Sequence, residues 1–195
     1  MVGPTEKDKL IATALVKESD RGCVILSAAL LADALEELLR SVCRKTPKEI
    51  KASVDPLLQG YAPLATFSAR IQLTFAFGIL PRALRDKIEI IRRMRNDFAH
   101  EWGPLDFDDP RCASRLDLLL IRLDDTNDDE QQAALMGEVG FVPTKQQLIT
   151  RIAFALAVQR MIGVIRALVD FASEGRDLRP IVQQMEEQGL WVGPT

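Results

Sequence analysis

The sequence predicts an all-α fold, and two observations support that prediction. Glycine and proline fall in four clumps, at residues 56–63, 78–81, 103–110 and 137–143, and long segments of helix-forming residues lie between them. Within those segments the apolar residues recur every three or four positions, as on one face of a helix. Apolar residues make up 47% of the chain, which is enough for a packed core. The length of 195 residues predicts one domain over residues 1–195.

The first long helix is predicted over residues 20–44. Its apolar residues keep helical spacing: Val24, Ala28, Leu31, Leu35 and Leu38. Ser19 or Asp20 supplies a side chain suited to an N-cap. We expect this helix to lie at the centre of the fold.

The second long helix is predicted over residues 145–171. It is apolar on nearly every side: Leu148, Ile152, Phe154, Leu156, Met161, Ile165 and Leu168. Pro143 and Thr144 stand where a helix start is expected. We expect such a helix to be buried or to form a subunit contact, and the chain to be a homo-oligomer.

Two further helices complete the prediction. The third covers residues 81–99, with Pro81 in its first turn. The fourth, at residues 177–188, is short and ends at Gly189.

Residues 66–77 show a conflicting pattern. Their apolar residues alternate with polar ones, which is the period of a half-buried strand. A single strand needs a partner for its backbone groups, and the other candidate, residues 138–142, is short and lies near two glycines. We therefore predict a helix here.

The composition excludes several classes of protein. The three cysteines are scattered and never spaced as C-x-x-C, which argues against a disulfide framework and a structural zinc site: Cys23, Cys43 and Cys112. With His100 as the single histidine, no mechanism can use two imidazoles of one chain. There is no P-loop, Rossmann glycine pattern or serine nucleophile motif, so we expect neither a cofactor nor a metal. We also expect no signal peptide and no membrane span, hence a reduced, cytoplasmic protein.

Charge is unevenly distributed along the chain. Residues 82–97 contain six basic and three acidic residues, whereas residues 101–138 contain eleven acidic residues and three arginines. Charge runs are usually solvated faces. The alternative is that the basic helix meets an anion such as nucleic acid, which the acidic segment repels elsewhere.

The third helix carries an arginine in its apolar stripe, which consists of Leu84, Ile88, Ile91, Arg95 and Phe98. A guanidinium that faces a core needs a buried carboxylate or a pocket, because it keeps its charge. Arg95 and His100 are five residues apart, or about 140° on a straight helix. They converge only if the last turn bends or unwinds, which the following Gly103-Pro104 pair allows.

The segment Arg95-Asn96-Asp97-Phe98-Ala99-His100 is an R-x4-H motif and resembles the signature of the HEPN superfamily of small helical domains. A wider set of segments resembles the mannitol operon repressor family, in the same order: residues 18–22 (ESDRG), 66–71 (TFSARI), 91–100 and 107–111 (FDDPR). The resemblance implies an all-helical fold, residues 66–77 included. It also implies that one set of charged residues gathers round a site: Asp20, Arg21, Arg70, Arg95, Asp97 and His100.

Two of these residues, Arg95 and His100, each have a structural and a functional interpretation. Arg95 forms a buried salt bridge with Asp20 or Asp97, or else it lines an anion pocket. His100 caps the helix C-terminus, or else it is a general base. In HEPN-type ribonucleases the R-x4-H motif cleaves RNA, commonly across a dimer. That role would make Arg95 and His100 catalytic, with Asn96 orienting them, although nearby carboxylates would repel phosphate.

The predicted function is therefore a non-catalytic transcriptional regulator resembling the mannitol operon repressor. The sequence has no evident helix-turn-helix and no basic arm, so direct DNA binding is not expected. The expected partner is a protein, either the transcription machinery or a DNA-binding regulator, docked on the apolar C-terminal helix or on residues 124–130. The alternatives are a ribonuclease that acts on RNA and a non-enzymatic module that binds a nucleotide or another anion.

Overall fold

The structure, a computed structural model, describes residues 6–43, 46–103, 105–119 and 145–189, and every helix or strand in these ranges is an α-helix. The prediction of an all-α fold is confirmed. The helices are α1 (Glu6–Val16), α2 (Asp20–Ser41), α3 (Pro47–Ser53), α4 (Asp55–Leu58), α5 (Phe67–Ala76), α6 (Arg82–His100), α7 (Pro110–Leu119), α8 (Lys145–Ser173) and α9 (Leu178–Glu187).

The two predicted long helices, α2 and α8, form the centre of the fold and pack against each other. Helix α1 lies along α8, while α5 and α6 cover the other sides of α2. The apolar residues predicted for α2 are all in the core, and Leu31, Leu35 and Leu38 are completely buried. One continuous hydrophobic cluster joins residues from helices α1, α2 and α4 to α9.

Helix α2 begins where the sequence predicts. Ser19 is the N-cap, and its side-chain oxygen accepts a hydrogen bond from the Gly22 N–H at 3.1 Å. The helix ends at Ser41, three residues before the predicted end, and residue 44 lies outside the described residues.

Helix α8 is a core helix. By length and composition, Gln147–Ser173 could cross a membrane, but 67% of its apolar window is buried inside the protein. The residues from Ile152 to Val158 are all buried, mainly against α2 and α1. This stretch therefore offers no surface to a partner, whereas Ala167 and Asp170 further along the same helix are exposed. Docking of a partner on this helix stays a prediction. The other predicted docking location, residues 124–130, lies outside the described residues, as do the start signal at residues 143–144 and the strand candidate at residues 138–142.

Residues 67–76 form a helix, as predicted against their local pattern. Thr66 caps α5 by accepting the Ala69 N–H at 3.2 Å. The buried residues of α5 are Arg70, Ile71 and Thr74, which share one helical face. The alternation misleads because Phe75 and Phe77, apolar in sequence, are not buried.

Helices α6 and α9 match their predictions within one residue at each end. Pro81 is the N-cap of α6 rather than its first-turn residue. Asp177 caps α9 by accepting the Arg179 N–H at 3.1 Å. Gly189 follows with a φ of +62°, a conformation that glycine adopts without strain.

Four helices were not predicted: α1, α3, α4 and α7. For α3 a signal was present in the sequence, since Thr46 and Glu49 form a capping box around Pro47. Helix α1 buries Ala12, Leu15 and Val16 completely against the core, so the N-terminal segment is part of the same packing unit.

Arg70 links α2 to the loop before α5. It is 8% exposed and donates to three backbone carbonyls, those of Leu64 (3.0 Å), Ala32 (3.0 Å) and Leu58 (3.1 Å). Its Nη2 also lies 2.6 Å from Glu36 Oε2. The charge is thus paired and hydrogen-bonded, as a buried guanidinium requires.

We expect Arg70→Met to lower the free energy of unfolding by about 3 kcal/mol, because the change removes the hydrogen bonds to three carbonyls and one of the two arginines that pair with the half-buried Glu36. Urea denaturation measures the change. Arg93→Met is the matched control, since Arg93 is exposed on α6 and its replacement should change stability by less than about 0.5 kcal/mol. Equal stability of both variants would contradict the structural role of Arg70.

Candidate functional site at the end of α6

The interpretation that Arg95 faces the core is wrong. The buried stripe of α6 consists of Leu84, Ile88, Ile91, Met94 and Phe98. Met94 and Arg95 are consecutive residues, and either one lies three or four positions from both Ile91 and Phe98. The apolar side chain occupies the core, and Arg95 is exposed, where Nη1 donates to the Asn96 side-chain oxygen at 3.1 Å.

Arg95 and His100 do not converge within one chain. Helix α6 stays regular through His100, and the Glu101 N–H still donates to the Asp97 carbonyl at 3.0 Å. The last turn neither bends nor unwinds, so the two side chains keep the separation of about 140° that five helical residues impose. Both side chains are exposed.

Asp20 is a buried carboxylate, as one of the two predicted partners of Arg95 would have to be. It pairs instead with Arg151 of α8. The Asp20 Oδ1 accepts from Arg151 Nε at 2.9 Å and from Nη2 at 2.7 Å, and both side chains are less than 10% exposed. Its Oδ2 accepts the Phe107 N–H at 2.9 Å. The predicted pairing of Asp20 with Arg95 is therefore wrong.

Arg151 was missed by the sequence analysis, although a signal existed, since it is a charged residue inside a nearly all-apolar helix. Cys23 lies close to the same ion pair. Burial, with a smaller contribution from the negative charge of Asp20, raises the pKa of the Cys23 thiol far above its usual value. Cys23 is thus a packing residue, not a reactive thiolate.

Arg21 holds the end of α6. Its Nη1 donates to the Phe98 carbonyl at 2.7 Å, and its Nη2 donates to the Gly103 carbonyl at 3.0 Å. A cation at a helix C-terminus satisfies carbonyls that have no partner within the helix and interacts favourably with the helix dipole. Arg21 therefore performs the capping role predicted for His100.

A half-open cavity of about 420 Å³ lies beside the last turn of α6. Its lining combines two acidic residues, two arginines and the histidine with two apolar residues: Asp97, His100, Glu101, Leu105, Arg111, Cys112 and Arg115. The charges are paired. Asp97 forms an ion pair with Arg115, and Arg111 contacts Glu101 at 2.9 Å and Asp109 at 2.8 Å.

Arg111 keeps two carboxylates of the loop after α6, those of Asp109 and Glu101, ionised. Its hydrogen bonds lower the pKa of Asp109 from 3.8 to about 2 and also lower the pKa of Glu101. Burial raises the pKa of the Cys112 thiol to about 11. Within the part of the chain that the structure describes, no three His, Cys, Asp or Glu side chains are grouped as metal ligands.

The predicted set of six charged residues is thus only partly brought together. Asp20 and Arg21 meet the end of α6 and its following loop, close to the turn that carries Asp97 and His100. Arg70 lies elsewhere, because it binds Ala32, which is twelve residues and about 18 Å further along α2 than Asp20.

The basic face predicted on α6 lies in a second groove, of about 550 Å³, between α5 and α6. Arg85 stacks 4.5 Å from the Phe75 ring centre. Arg92 donates to Glu89 at 2.9 Å, and Arg85 Nε lies 3.1 Å from an oxygen of Asp86. The acidic residues within this groove offset much of its positive charge, as in an ordinary solvated face.

Comparison with known proteins identifies relatives. Residues 7–166 match the model of the MtlR family, described as mannitol repressor. The mannitol operon repressors of Escherichia coli strain K12 and strain O6:H1 CFT073 are each 30% identical to this chain over 89 residues, which is 46% of this chain and 46% of each relative. The matched segment thus spans about half the length of these curated relatives.

The chain also shares its fold with a solved structure. It is the X-ray structure of the MtlR–HPr complex from Escherichia coli, which matches with a TM-score of 0.54 and 20% sequence identity, covering 86% of this chain and 99% of that one.

The loop after α6 generates a prediction about pH. A lowered pKa means that the Asp109–Arg111 interaction is fully present above pH 3.8 and is lost as the pH falls toward 2. In an NMR titration, we expect Asp109 to be still largely ionised at about pH 3 in the wild type and to become protonated at a higher pH in Arg111→Ala, which keeps only the backbone N–H bond to this carboxylate. Arg93→Ala should leave the titration unchanged. Ordinary titration of Asp109 in the wild type would contradict the ion pair.

Proposed function

Because this chain belongs to the mannitol repressor family, we propose that it is a repressor-type regulator of a sugar-alcohol operon and that it acts through a protein partner. The observation that carries the proposal is the family match over residues 7–166. The relative whose fold it shares was solved in complex with HPr. We therefore propose HPr as the partner of this chain as well.

The electrostatics support an indirect mode of regulation. A protein that reads DNA by itself neutralises phosphates with an uninterrupted basic surface. This chain has a net charge of -3, and Arg85 and Arg92 of α6 lie beside carboxylates of the same helix, Asp86 and Glu89. A partner that binds DNA would supply the contacts to phosphate that this chain does not make. A partner that senses the sugar supply would control the chain without such contacts. We place this action in the cytoplasm.

We further propose that the chain acts without catalysis. Arg95 and His100 point in directions about 140° apart on an unbroken helix, and Asp97 and Glu101 line the cavity beside the imidazole. These carboxylates hold Arg115 and Arg111 of the same cavity in ion pairs, so neither arginine is free to bind a phosphodiester beside His100.

The proposed partnership predicts binding between two purified proteins. We expect this chain to bind HPr of its own organism with a measurable dissociation constant in isothermal titration calorimetry. We also expect no tight, salt-sensitive binding to its operator DNA when the chain is alone. Tight binding of the operator by the purified chain would contradict the indirect mode, and absence of HPr binding would contradict the choice of partner.

The absence of catalysis is tested with single-stranded RNA of mixed sequence. We expect no cleavage by the wild type above the level of His100→Ala and Arg95→Ala prepared in the same way. Both residues are exposed, so the variants should fold normally. Cleavage by the wild type that disappears in both variants would establish the ribonuclease alternative instead.

A further inference from the structure

Trp102 is the feature of the surface that neither the fold nor the cavity explains. It lies in the loop between α6 and α7, and its side chain is fully exposed, at 101%. A tryptophan has the largest apolar surface of any side chain, so full exposure is unfavourable in an isolated protein. Tryptophan is also among the residues that most often dominate the energy of a protein–protein interface.

The backbone around Trp102 is held on both sides. Arg21 binds the carbonyls of Phe98 and Gly103, which precede and follow the tryptophan. Glu101 accepts the Gly103 N–H at 3.5 Å and is itself bound by Arg111. The backbone from Phe98 to Gly103 is therefore held by side-chain hydrogen bonds before any partner binds, so its ordering on binding costs little conformational entropy.

The loop that carries Trp102 contains four carboxylates. Arg111 pairs with two of them, Glu101 and Asp109, whereas Asp106 and Asp108 are exposed. Exposed carboxylates in the same loop as an apolar anchor complement a partner face in which basic side chains surround an apolar pocket. They also repel nucleic acid, which would otherwise stack bases on an exposed tryptophan.

We propose that Trp102 is the anchor by which this chain docks its protein partner, and that it inserts into an apolar pocket rimmed by basic residues on HPr. This inference rests on the proposed function, in which HPr is the partner. Glu101, the residue before Trp102, lines the cavity beside the last turn of α6. The cavity therefore gives the partner a concave surface close to the tryptophan.

The test compares two exposed aromatic residues. Tyr61 is the matched control, because it is also fully exposed, at 109%, but follows α4 at a different place in the chain. The affinity of the full chain for HPr is measured by calorimetry for the wild type, Trp102→Ala and Tyr61→Ala. Thermal melts establish that both variants are folded, as expected for side chains without packing contacts.

We expect Trp102→Ala to weaken HPr binding by about 30-fold or more and Tyr61→Ala to change it by less than about 2-fold. Raising the salt concentration about tenfold should also weaken wild-type binding, since the complementary charges are then screened. Equal affinity of Trp102→Ala and wild type would overturn the proposal and leave the proposed function intact. If the wild type does not bind HPr, both fail. Stacking of single-stranded RNA on Trp102, with no effect on HPr binding, would also overturn it.

The role of the held backbone is tested separately with Arg21→Gln, which removes the charge that holds both carbonyls. We expect a folded protein that retains Trp102 but binds HPr about 5-fold more weakly, because the loop must now be ordered on binding. Unchanged affinity would overturn the part of the proposal that concerns the held backbone.

Discussion

The buried ion pair between Asp20 and Arg151 joins the two longest helices of the protein at the point where the core meets the functional loop. Asp20 opens α2, Arg151 lies near the start of α8, and the second oxygen of Asp20 binds the backbone of Phe107. Removing one partner of such a pair leaves one buried charge unpaired. An alternative register of the two helices would separate the partners and leave both buried charges unpaired. The pair therefore fixes how α8 lies on α2 more than it adds to stability.

The other charged residues that resemble the family pattern act on the backbone in the same way. Arg21 binds the carbonyls of Phe98 and Gly103, and Arg70 binds those of Ala32, Leu58 and Leu64. Two of these carbonyls, those of Phe98 and Leu58, lie at helix C-termini, where the helix itself supplies no donor. Three of the six charged residues predicted to form one site, Asp20, Arg21 and Arg70, thus bind the backbone of neighbouring segments and hold them to α2.

These links determine what the protein presents to others. Because Asp20 and Arg21 are occupied by the loop after α6, the residues left for a partner are His100, the paired charges of the cavity and the exposed Trp102. Such a surface has the features of a protein interface, with an aromatic anchor and a polar surround. Within one chain, Arg95 and His100 of the R-x4-H motif stay on different sides of α6.

The sequence by itself determined the helical class, the two central helices and an N-cap at Ser19 or Asp20, because these depend on spacing and on neighbouring residues. The local alternation of residues 67–76 indicated a strand, and their helical state was predicted only because a single strand has no partner for its backbone groups and because the family resemblance implies a helix. Only the tertiary structure decided which of Met94 and Arg95 enters the core, because both fit the helical spacing and the choice depends on what packs opposite. Likewise, the pairing of Asp20 with Arg151, 131 positions away, depends on how two helices meet in space, which helical periodicity does not encode.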